Sequence, residues 1–239
     1  MKARSFFSAG VLLAVALIFS CSSSDDELPC LACDDNQGGS SAGGDKGNDI
    51  GNYRTIKIGT QTWMAENLNY DTTGNKCYGN LPANCVTYGR LYDWATAMAL
   101  PSSCNSSNCS SQIQSKHKGI CPSGWHIPSD AEWTTLTNFV GSTAGTKLKA
   151  ASGWNSNGNG TDEYGFSALP GGGGLPVSGG FFAFVGDVGY WWSATEDGAS
   201  STYYRIMDYG SDYVSRSSYN VNRLGEDKST LFSVRCVQD

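Results

Sequence analysis

The chain of 239 residues carries 22 acidic and 16 basic side chains, which gives a formal net charge of −6. An acidic chain without a basic cluster binds phosphate groups poorly. We therefore expect neither nucleic acid nor an anionic lipid surface to be a partner.

The N-terminal segment predicts a secretory signal peptide over residues 1–20. Lys2 and Arg4 precede an apolar run at residues 11–19, which is too short and wrongly flanked for a membrane-spanning helix. The run ends in "IFSC", which resembles a bacterial lipobox, so Cys21 is the predicted lipidation site. An ordinary signal peptide is the alternative. Removal of Lys2 and Arg4 with the signal changes the formal net charge from −6 to −8.

Residues 21–52 predict a lipidated, disordered tether rich in Gly, Ser and Asp. Residues 34–52 have almost nothing to bury, so they cannot offset the entropy lost on ordering. A coil of that size spans on the order of 30 Å. The "SSSDDELP" that follows Cys21 resembles export signals of surface-exposed lipoproteins, although it is equally typical of a solvated tether. We expect a lipid anchor in the bacterial outer membrane and a domain displayed at the cell surface.

The cysteines predict a disulfide framework. Nine cysteines less the lipidated Cys21 leave eight, an even number in an oxidising compartment. Cys30 and Cys33 have the alternative of a redox pair or half a zinc site, and Cys121 has the alternative of a free nucleophile. Proximity along the chain, with the remainder paired last, predicts the bonds Cys30–Cys33, Cys77–Cys85, Cys104–Cys109 and Cys121–Cys236.

Residues 53–239 have the size of one domain, and its first elements predict the α+β class. "TIKIGTQTWM" alternates on both sides of Gly59 and Thr60, as in a hairpin with a type II′ turn. "RLYDWATAMALP" then has helical periodicity and stops at Pro101. The apolar positions of this predicted helix are Leu91, Trp94, Ala95, Met98 and Ala99.

A second helix is predicted after "GICPSGWHIPSDAEW". Ser129 and Glu132 have the spacing of a capping box, in which each side chain bonds the other residue's amide. Asp130 lies in the first turn, where the helix dipole favours a negative charge. Trp133, Leu136 and Val140 follow on one face, and Gly141 ends the helix.

His126 lies three residues before this cap. A catalytic base needs a positioned nucleophile or an orienting acid, and the sequence identifies neither. We interpret His126 as a hydrogen-bonded, half-buried side chain and assign no catalytic residue. A hydrolase built around His126, Asp130 and Glu132 is the alternative.

The last third of the chain predicts short strands with polar turns. Trp191 and Trp192 are adjacent and must point to opposite faces of a strand, so one is predicted in the core and the other exposed. Aromatic side chains stack on sugar rings or partner side chains. The candidate ligand contacts are Trp191, Trp192, Tyr203, Tyr204, Tyr209 and Tyr213.

One loop, "WNSNGNGTDEYG", has the spacing of the first ligands of a calcium loop. It lacks the leading aspartate, and Phe166 occupies the position of the closing glutamate. No cofactor other than Ca²⁺ is indicated. The candidate calcium ligands are Asn155, Asn157, Asn159, Asp162 and Glu163.

Six motifs in order, "TWMAENLNY", "YGRLYDWATAM", "GICPSGWHIPSDAEW", "GFSALPGG", "GYWWSATE" and "FSVRCV", resemble the Fibrobacter succinogenes major paralogous domain. "HIPSDAEW" and "VRCV" are also similar to the sulfatase-modifying-factor superfamily of formylglycine-generating enzymes. That resemblance implies a C-type lectin-like fold: two helices packed on short, irregular antiparallel strands with long loops. The enzyme's active cysteine pair has no counterpart, and neither do the Glu-Pro-Asn, Gln-Pro-Asp and Trp-Asn-Asp motifs of calcium-dependent lectins.

These features together predict a surface-anchored lipoprotein that acts as a non-catalytic binding or adhesion module. Its expected partner is a glycan or another envelope or extracellular macromolecule. Two alternatives stay open: an enzyme of the formylglycine-generating or hydrolase type, and a structural component of an envelope protein complex.

Overall fold

The computed structural model describes residues 50–218 and 227–239. The predicted signal peptide, the lipidation site Cys21 and the Cys30–Cys33 pair lie outside the described residues. The tether was predicted to reach residue 52, but Ile50–Asn52 form a 3-10 turn and Ile50 packs against the core. The amide of Tyr53 donates to the carbonyl of Ile50 at 2.9 Å, so regular structure begins before the predicted boundary.

Short helices and strands alternate along the described chain in a mixed α and β arrangement. The helices are α1 (Pro82–Tyr88), α2 (Trp94–Ala97), α3 (Asp130–Val140) and α4 (Ala144–Leu148). The strands are β1 (Thr55–Ile58), β2 (Gln61–Met64), β3 (Leu91–Tyr92), β4 (Trp125–His126), β5 (Gly171–Leu175), β6 (Phe181–Val185), β7 (Val188–Glu196), β8 (Thr202–Asp208), β9 (Ser215–Ser217), β10 (Phe232–Ser233) and β11 (Val237–Gln238).

The first sheet joins the two ends of the domain. Ile58 pairs with Gln61, and Gly59 is the one loop residue with a positive φ, +60°, which confirms the predicted type II′ hairpin. The last strand, β11, pairs with both β2 and β4. The strand order is therefore β1-β2-β11-β4, with the C-terminal strand inside the sheet.

The second sheet is mixed, so the prediction of antiparallel strands is only partly correct. Its order is β3-β10-β7-β5-β6, with β8 beside β7 and β9 beside β8. β7 pairs in parallel with β5 and with β10, whereas its pairing with β8 is antiparallel. Parallel pairing is possible here because long connections separate β7 from β5 and β10 along the chain.

Hydrophobic residues cover both faces of β7. On one face Trp192 packs among Tyr92, Trp94 and Phe232. On the other face Trp191 packs in a cluster that contains Trp63, Trp133, Leu136 and Phe166. The prediction that one of the two adjacent tryptophans is exposed is therefore wrong: Trp191 is 0% and Trp192 2% exposed.

Helix α3 confirms the predicted capping box. The Ser129 hydroxyl accepts from the Glu132 amide at 3.2 Å, and the Glu132 carboxylate accepts from the Ser129 amide at 2.8 Å. Trp133, Leu136 and Val140 are buried, and Gly141 ends the helix with φ +86°.

The first predicted helix is wrong in extent. Leu91 and Tyr92 form β3, which pairs with β10, and the helix proper is only the four residues of α2. Asp93 adopts an extended conformation, and its side chain accepts from the Thr96 amide at 2.8 Å, so the helix cannot begin earlier. The helix ends at Ala97, two residues before Ala99, whose φ of +52° is not helical.

Two helices were predicted, but the described residues contain four. α1 begins with Pro82 and buries only Cys85, so it lacks the apolar periodicity that marks a helix in sequence. α4 has five residues, which is too few for such a pattern.

Three disulfides join the described part of the chain: Cys77–Cys85, Cys104–Cys109 and Cys121–Cys236. These are the pairings that proximity predicted. Cys121 and Cys236 are both fully buried and lie 115 residues apart, so this bond ties the segment before β4 to the C-terminal strand.

Replacing both Cys121 and Cys236 by Ala should lower the free energy of unfolding by about 4–5 kcal/mol, because the bond closes a long loop in the unfolded chain. The matched Cys104→Ala, Cys109→Ala variant, which opens a loop of sequence separation 5, should lose only about 2 kcal/mol. Equilibrium urea unfolding of both variants measures the difference. Equal losses of unfolding free energy in the two variants would contradict the view that loop length sets how much each disulfide stabilises the fold.

Candidate binding site at the tyrosine loop

The six aromatic ligand candidates separate into buried and exposed groups. Trp191, Trp192 and Tyr204 are buried in the core, so their prediction as ligand contacts is wrong for this conformation. Tyr203 is partly covered, since the Arg216 guanidinium lies 3.8 Å from its ring centroid. Tyr209 and Tyr213 are 40% and 66% exposed.

These two exposed side chains lie on one turn, residues 208–214, which we call the tyrosine loop. The Asp208 carboxylate accepts from the Gly210 amide at 2.8 Å, an Asx turn that reverses the chain after β8. The Ser211 hydroxyl accepts from the Tyr213 amide at 3.2 Å. The amide of Tyr209 also donates to the Asp187 carbonyl at 2.9 Å, which ties the loop to the start of β7.

A buried lysine, Lys149, bonds to the backbone of this loop. Lys149 is 3% exposed, and its ammonium donates to the carbonyls of Asp208 at 3.0 Å, Tyr209 at 3.4 Å and Ser211 at 3.0 Å. Burial lowers the pKa of Lys149, against the smaller opposing effects of nearby carboxylates. The three carbonyls satisfy all three ammonium donors, so the loop backbone is bound at three points.

Two glycines allow the loop to pack closely on its support. A Cβ at Gly145 would lie 2.6 Å from the Tyr213 carbonyl oxygen, and one at Gly158 would lie 2.5 Å from that of Tyr209. The Gly145 amide donates to the Asp212 carbonyl at 2.8 Å, and the Thr146 hydroxyl donates to the Asp212 carboxylate at 2.7 Å. The tyrosines are therefore presented on a preorganised backbone.

An open groove of about 410 Å³ runs between the tyrosine loop and the end of α3. It is lined by Thr137, Asn138, Gly141, Ser142, Ala144, Tyr213 and Val214. This volume is in the usual range for small-ligand sites. The groove combines an exposed aromatic ring with amide and hydroxyl groups, an arrangement suited to binding. Its lining contains no His, Asp, Glu or Lys that could act as a base toward a nucleophile.

The side chains of four candidate calcium ligands bond to different protein partners. Asn155 donates to Asp187 at 3.1 Å, and Asn159 accepts from the Trp154 amide at 3.0 Å. Both carboxylate oxygens of Asp162 accept from Ser167. Glu163 lies 3.8 Å from the ammonium of Lys147, and Asn157 is exposed with φ +60°. Within residues 50–218 and 227–239, no group of three or more Asp, Glu, His or Cys residues is placed to hold a metal ion.

His126 lies between two carboxylates and not beside a nucleophile. Its side chain is 1% exposed; Nδ1 lies 2.7 Å from Asp239 and Nε2 lies 2.8 Å from Glu132. The Ser129 hydroxyl donates to Glu132 at 2.8 Å. The carboxylate thus stands between the serine and the histidine, so His126 is not placed to remove the serine proton.

Asp130 belongs to a different cluster from His126. Its carboxylate accepts from Arg205 at 2.6 Å and from Arg216 at 2.8 Å. Burial acts to raise the pKa of Asp130, but the two guanidinium groups outweigh it and the net pKa is lowered. The three residues of the hydrolase alternative are therefore not assembled into one site.

The Fibrobacter succinogenes major domain family matches residues 56–238, well over half of the chain. The chain belongs to the Fibrobacter succinogenes major domain family. No curated protein and no solved structure matches it. In this family member the tyrosine loop, the groove and the three disulfides all lie within the matched residues. Of the helices in the described part of the chain, none has the length and apolar character to cross a membrane.

Sequence reasoning on this member of the Fibrobacter succinogenes major domain family found the two exposed tyrosines but missed what surrounds them. Thr137 and Asn138 lie between the apolar positions Leu136 and Val140 of α3, Ser142 follows the helix, and all three have the pattern of ordinary solvated residues. Lys149 carries no local signal, because its three acceptors lie about 60 positions later in the chain. The polar residues at the end of an otherwise predicted helix are the one clue that the sequence offered.

Lys149→Met should lower the free energy of unfolding by about 2–3 kcal/mol, because it leaves buried loop carbonyls without a donor. Lys147→Met is the matched control: Lys147 forms a 3.8 Å ion pair with the half-exposed Glu163, and its loss should cost less than about 1 kcal/mol. Thermal and urea unfolding measure both, and hydrogen exchange at the tyrosine loop should rise in Lys149→Met alone. Unchanged exchange would show that other contacts hold the loop.

Because of the environment of His126, we expect the free energy of unfolding to fall as the pH becomes alkaline. Burial alone lowers the pKa of His126, but hydrogen bonds and charges from Glu132 and Asp239 outweigh it, so the net pKa is raised. The stabilisation that protonated His126 contributes is therefore fully present below about pH 6.5, the pKa of histidine in an unfolded chain. It is lost as the pH rises through the higher pKa that His126 has in the folded protein.

Asp239→Asn removes one of the two carboxylates and should reduce this loss. The measurement is the free energy of unfolding from pH 6 to pH 9, with the titration of the His126 ring followed by NMR. Parallel pH curves for the two proteins would show that Asp239 does not raise the pKa of His126.

Proposed function

We propose that the protein is a surface-anchored bacterial lipoprotein that acts as a non-catalytic binding or adhesion module, with a glycan as its leading ligand. The observation that carries the proposal is the tyrosine loop, whose two exposed aromatic side chains are held on a backbone bound by Lys149 and packed on two glycines. Rigid aromatic groups bind with little loss of side-chain entropy. A neighbouring groove with amide and hydroxyl groups adds hydrogen bonds that fix the orientation of a ligand.

The anchor is part of the same proposal. Lipidation at Cys21 would hold the chain on the outer membrane, and the polar segment after it would space the domain away from the lipid surface. A module displayed in this way gains from multivalent contact with a long polymer, because many copies meet many repeats of the same ligand.

We also propose the C-type lectin-like, sulfatase-modifying-factor-like fold that the motif resemblance implied. The support is architectural: β11 pairs with β2, so the two ends of the domain meet in one sheet, and long irregular segments join the second sheet. An enzyme of this superfamily has less support, since the six cysteines of the described chain are all paired and His126 is buried.

A second candidate function is a structural component of an envelope complex. It is favoured by large apolar side chains exposed on α1, on its N-cap residue and on the β5–β6 hairpin. The 3-10 turn before α1 contacts this hairpin, since the Asn80 side chain donates to the Gly179 carbonyl at 3.2 Å. The exposed residues are Leu81, Val86, Val177 and Phe181. Crosslinking on intact cells distinguishes this function from free glycan binding.

Tyr209→Ala, Tyr213→Ala in the full chain should abolish retention on a polysaccharide that the wild type binds. Both side chains are exposed, so the melting temperature should change by only a few degrees. Pull-down on a panel of soluble and insoluble polysaccharides, with the protein purified in detergent, measures the loss. Phe181→Ala is the control. It removes a 50% exposed aromatic side chain from β6, outside the tyrosine loop and the groove lining, and should leave retention intact. Failure of the wild type to bind any polysaccharide would shift the weight to a protein partner.

A further inference from the structure

The groove beside the tyrosine loop has a lining without ionised side chains. Its polar groups are the hydroxyls of Thr137 and Ser142, the amide of Asn138 and the phenol of Tyr213. The Thr137 hydroxyl donates to the Thr134 carbonyl at 3.1 Å, so it is open to a ligand as an acceptor. The side chains of Asn138 and Ser142 have no hydrogen-bond partner among the described residues, and both residues are exposed. The groove thus offers donors and acceptors to a ligand with hydroxyl groups, and no charge to one that is ionised.

The local field of the backbone also disfavours an anion. The groove lies at the carboxyl end of α3, an eleven-residue helix that carries no basic residue in its last turn. The C-terminal carbonyls of a helix act as a partial negative charge, which repels carboxylate and sulfate groups and accepts from hydroxyls. The amides at the start of α4 are already bonded, since Ala144 donates to Gly141 and Gly145 donates to Asp212.

The cationic side chains near the groove are occupied by other acceptors. Lys149 is buried under the tyrosine loop and binds three carbonyls. Lys147 donates to the Val140 carbonyl at 3.4 Å and pairs with Glu163. The loop carboxylate of Asp212 accepts from the Thr146 hydroxyl and is not part of the groove lining. An anionic ligand therefore finds no available cation, and the lining itself offers no carboxylate to a cationic one.

Resting on the proposed function, we infer that this groove binds an uncharged polysaccharide chain, with one sugar ring stacked on Tyr213 and sugar hydroxyls bonded by Asn138, Thr137 and Ser142. The apolar face of a sugar ring matches the exposed aromatic ring, and its equatorial hydroxyls match the amide and hydroxyl lining. Recognition needs neither a metal ion nor an ion pair, so it is insensitive to chelator and to salt.

The test measures binding of the full chain, purified in detergent, to three classes of soluble polysaccharide: neutral glucans and mannans, anionic uronic-acid or sulfated chains, and cationic chitosan. We expect binding to a member of the neutral class, unchanged by EDTA and by raising NaCl from 50 to 500 mM. Tyr213→Phe should keep the affinity within about twofold because the ring remains, whereas Tyr213→Ala should weaken it about tenfold.

Asn138→Ala should weaken binding by several-fold, and Asn138→Asp should weaken it further by adding charge to the groove. Asn108→Ala, at an exposed asparagine outside the groove lining, is the matched control and should leave the affinity unchanged.

Failure of the inference and failure of the proposed function give different results. Binding restricted to anionic or cationic chains, but lost in Tyr213→Ala, would overturn the inference and keep a glycan module. Binding to neutral chains that is indifferent to Tyr213 and Asn138 would place the site elsewhere and overturn the inference as well. No binding to any of the three classes would overturn both.

Discussion

The fold depends on a single strand, β7, whose two faces are both buried by tryptophan. Adjacent residues on a strand point to opposite faces, so Trp191 and Trp192 each require a separate hydrophobic cluster and a separate acceptor for the indole N–H. Trp192 donates to the Tyr92 carbonyl at 2.7 Å, and Trp191 donates to the Asn67 side chain at 2.8 Å. Asn67 accepts in turn from Arg235 at 2.8 Å, which links the indole to the C-terminal segment. Other elements take their places around these two clusters.

Buried cations compensate for the irregular backbone around this strand. A fold with short strands leaves many carbonyls without a partner in a sheet, and each unsatisfied buried carbonyl costs free energy. Arg235 donates to carbonyls between α4 and β5, Lys149 to those of the tyrosine loop, and Lys228 to carbonyls of two further loops. Burial lowers the pKa of Arg235 to about 9. Lys228 is also paired with Glu196, so its charge is compensated in the interior.

The same device connects stability to the proposed function. Residues 209–214 of the tyrosine loop lie outside any helix or strand, yet Lys149 and the close contacts at two glycines hold the loop backbone. A loop that is already ordered loses little entropy when a ligand arrives. This separates the display of Tyr209 and Tyr213 from the packing of the core, because the supporting contacts are made by the backbone and the tyrosine side chains are exposed. Substitutions at these two exposed side chains should therefore leave the two tryptophan clusters intact.

The amino-acid sequence by itself determined the features that depend on residues a few positions apart. The capping box of Ser129 and Glu132, the turn at Gly59, and the two short disulfides all follow from local spacing, and family membership follows from long motifs in order. Only the tertiary structure decided which aromatic residues face solvent. The alternation of a strand says that Trp191 and Trp192 point apart, but what covers each face comes from distant segments of the chain. For the same reason no local pattern marks Lys149 as the support of the tyrosine loop: its partners are backbone carbonyls, which every residue carries.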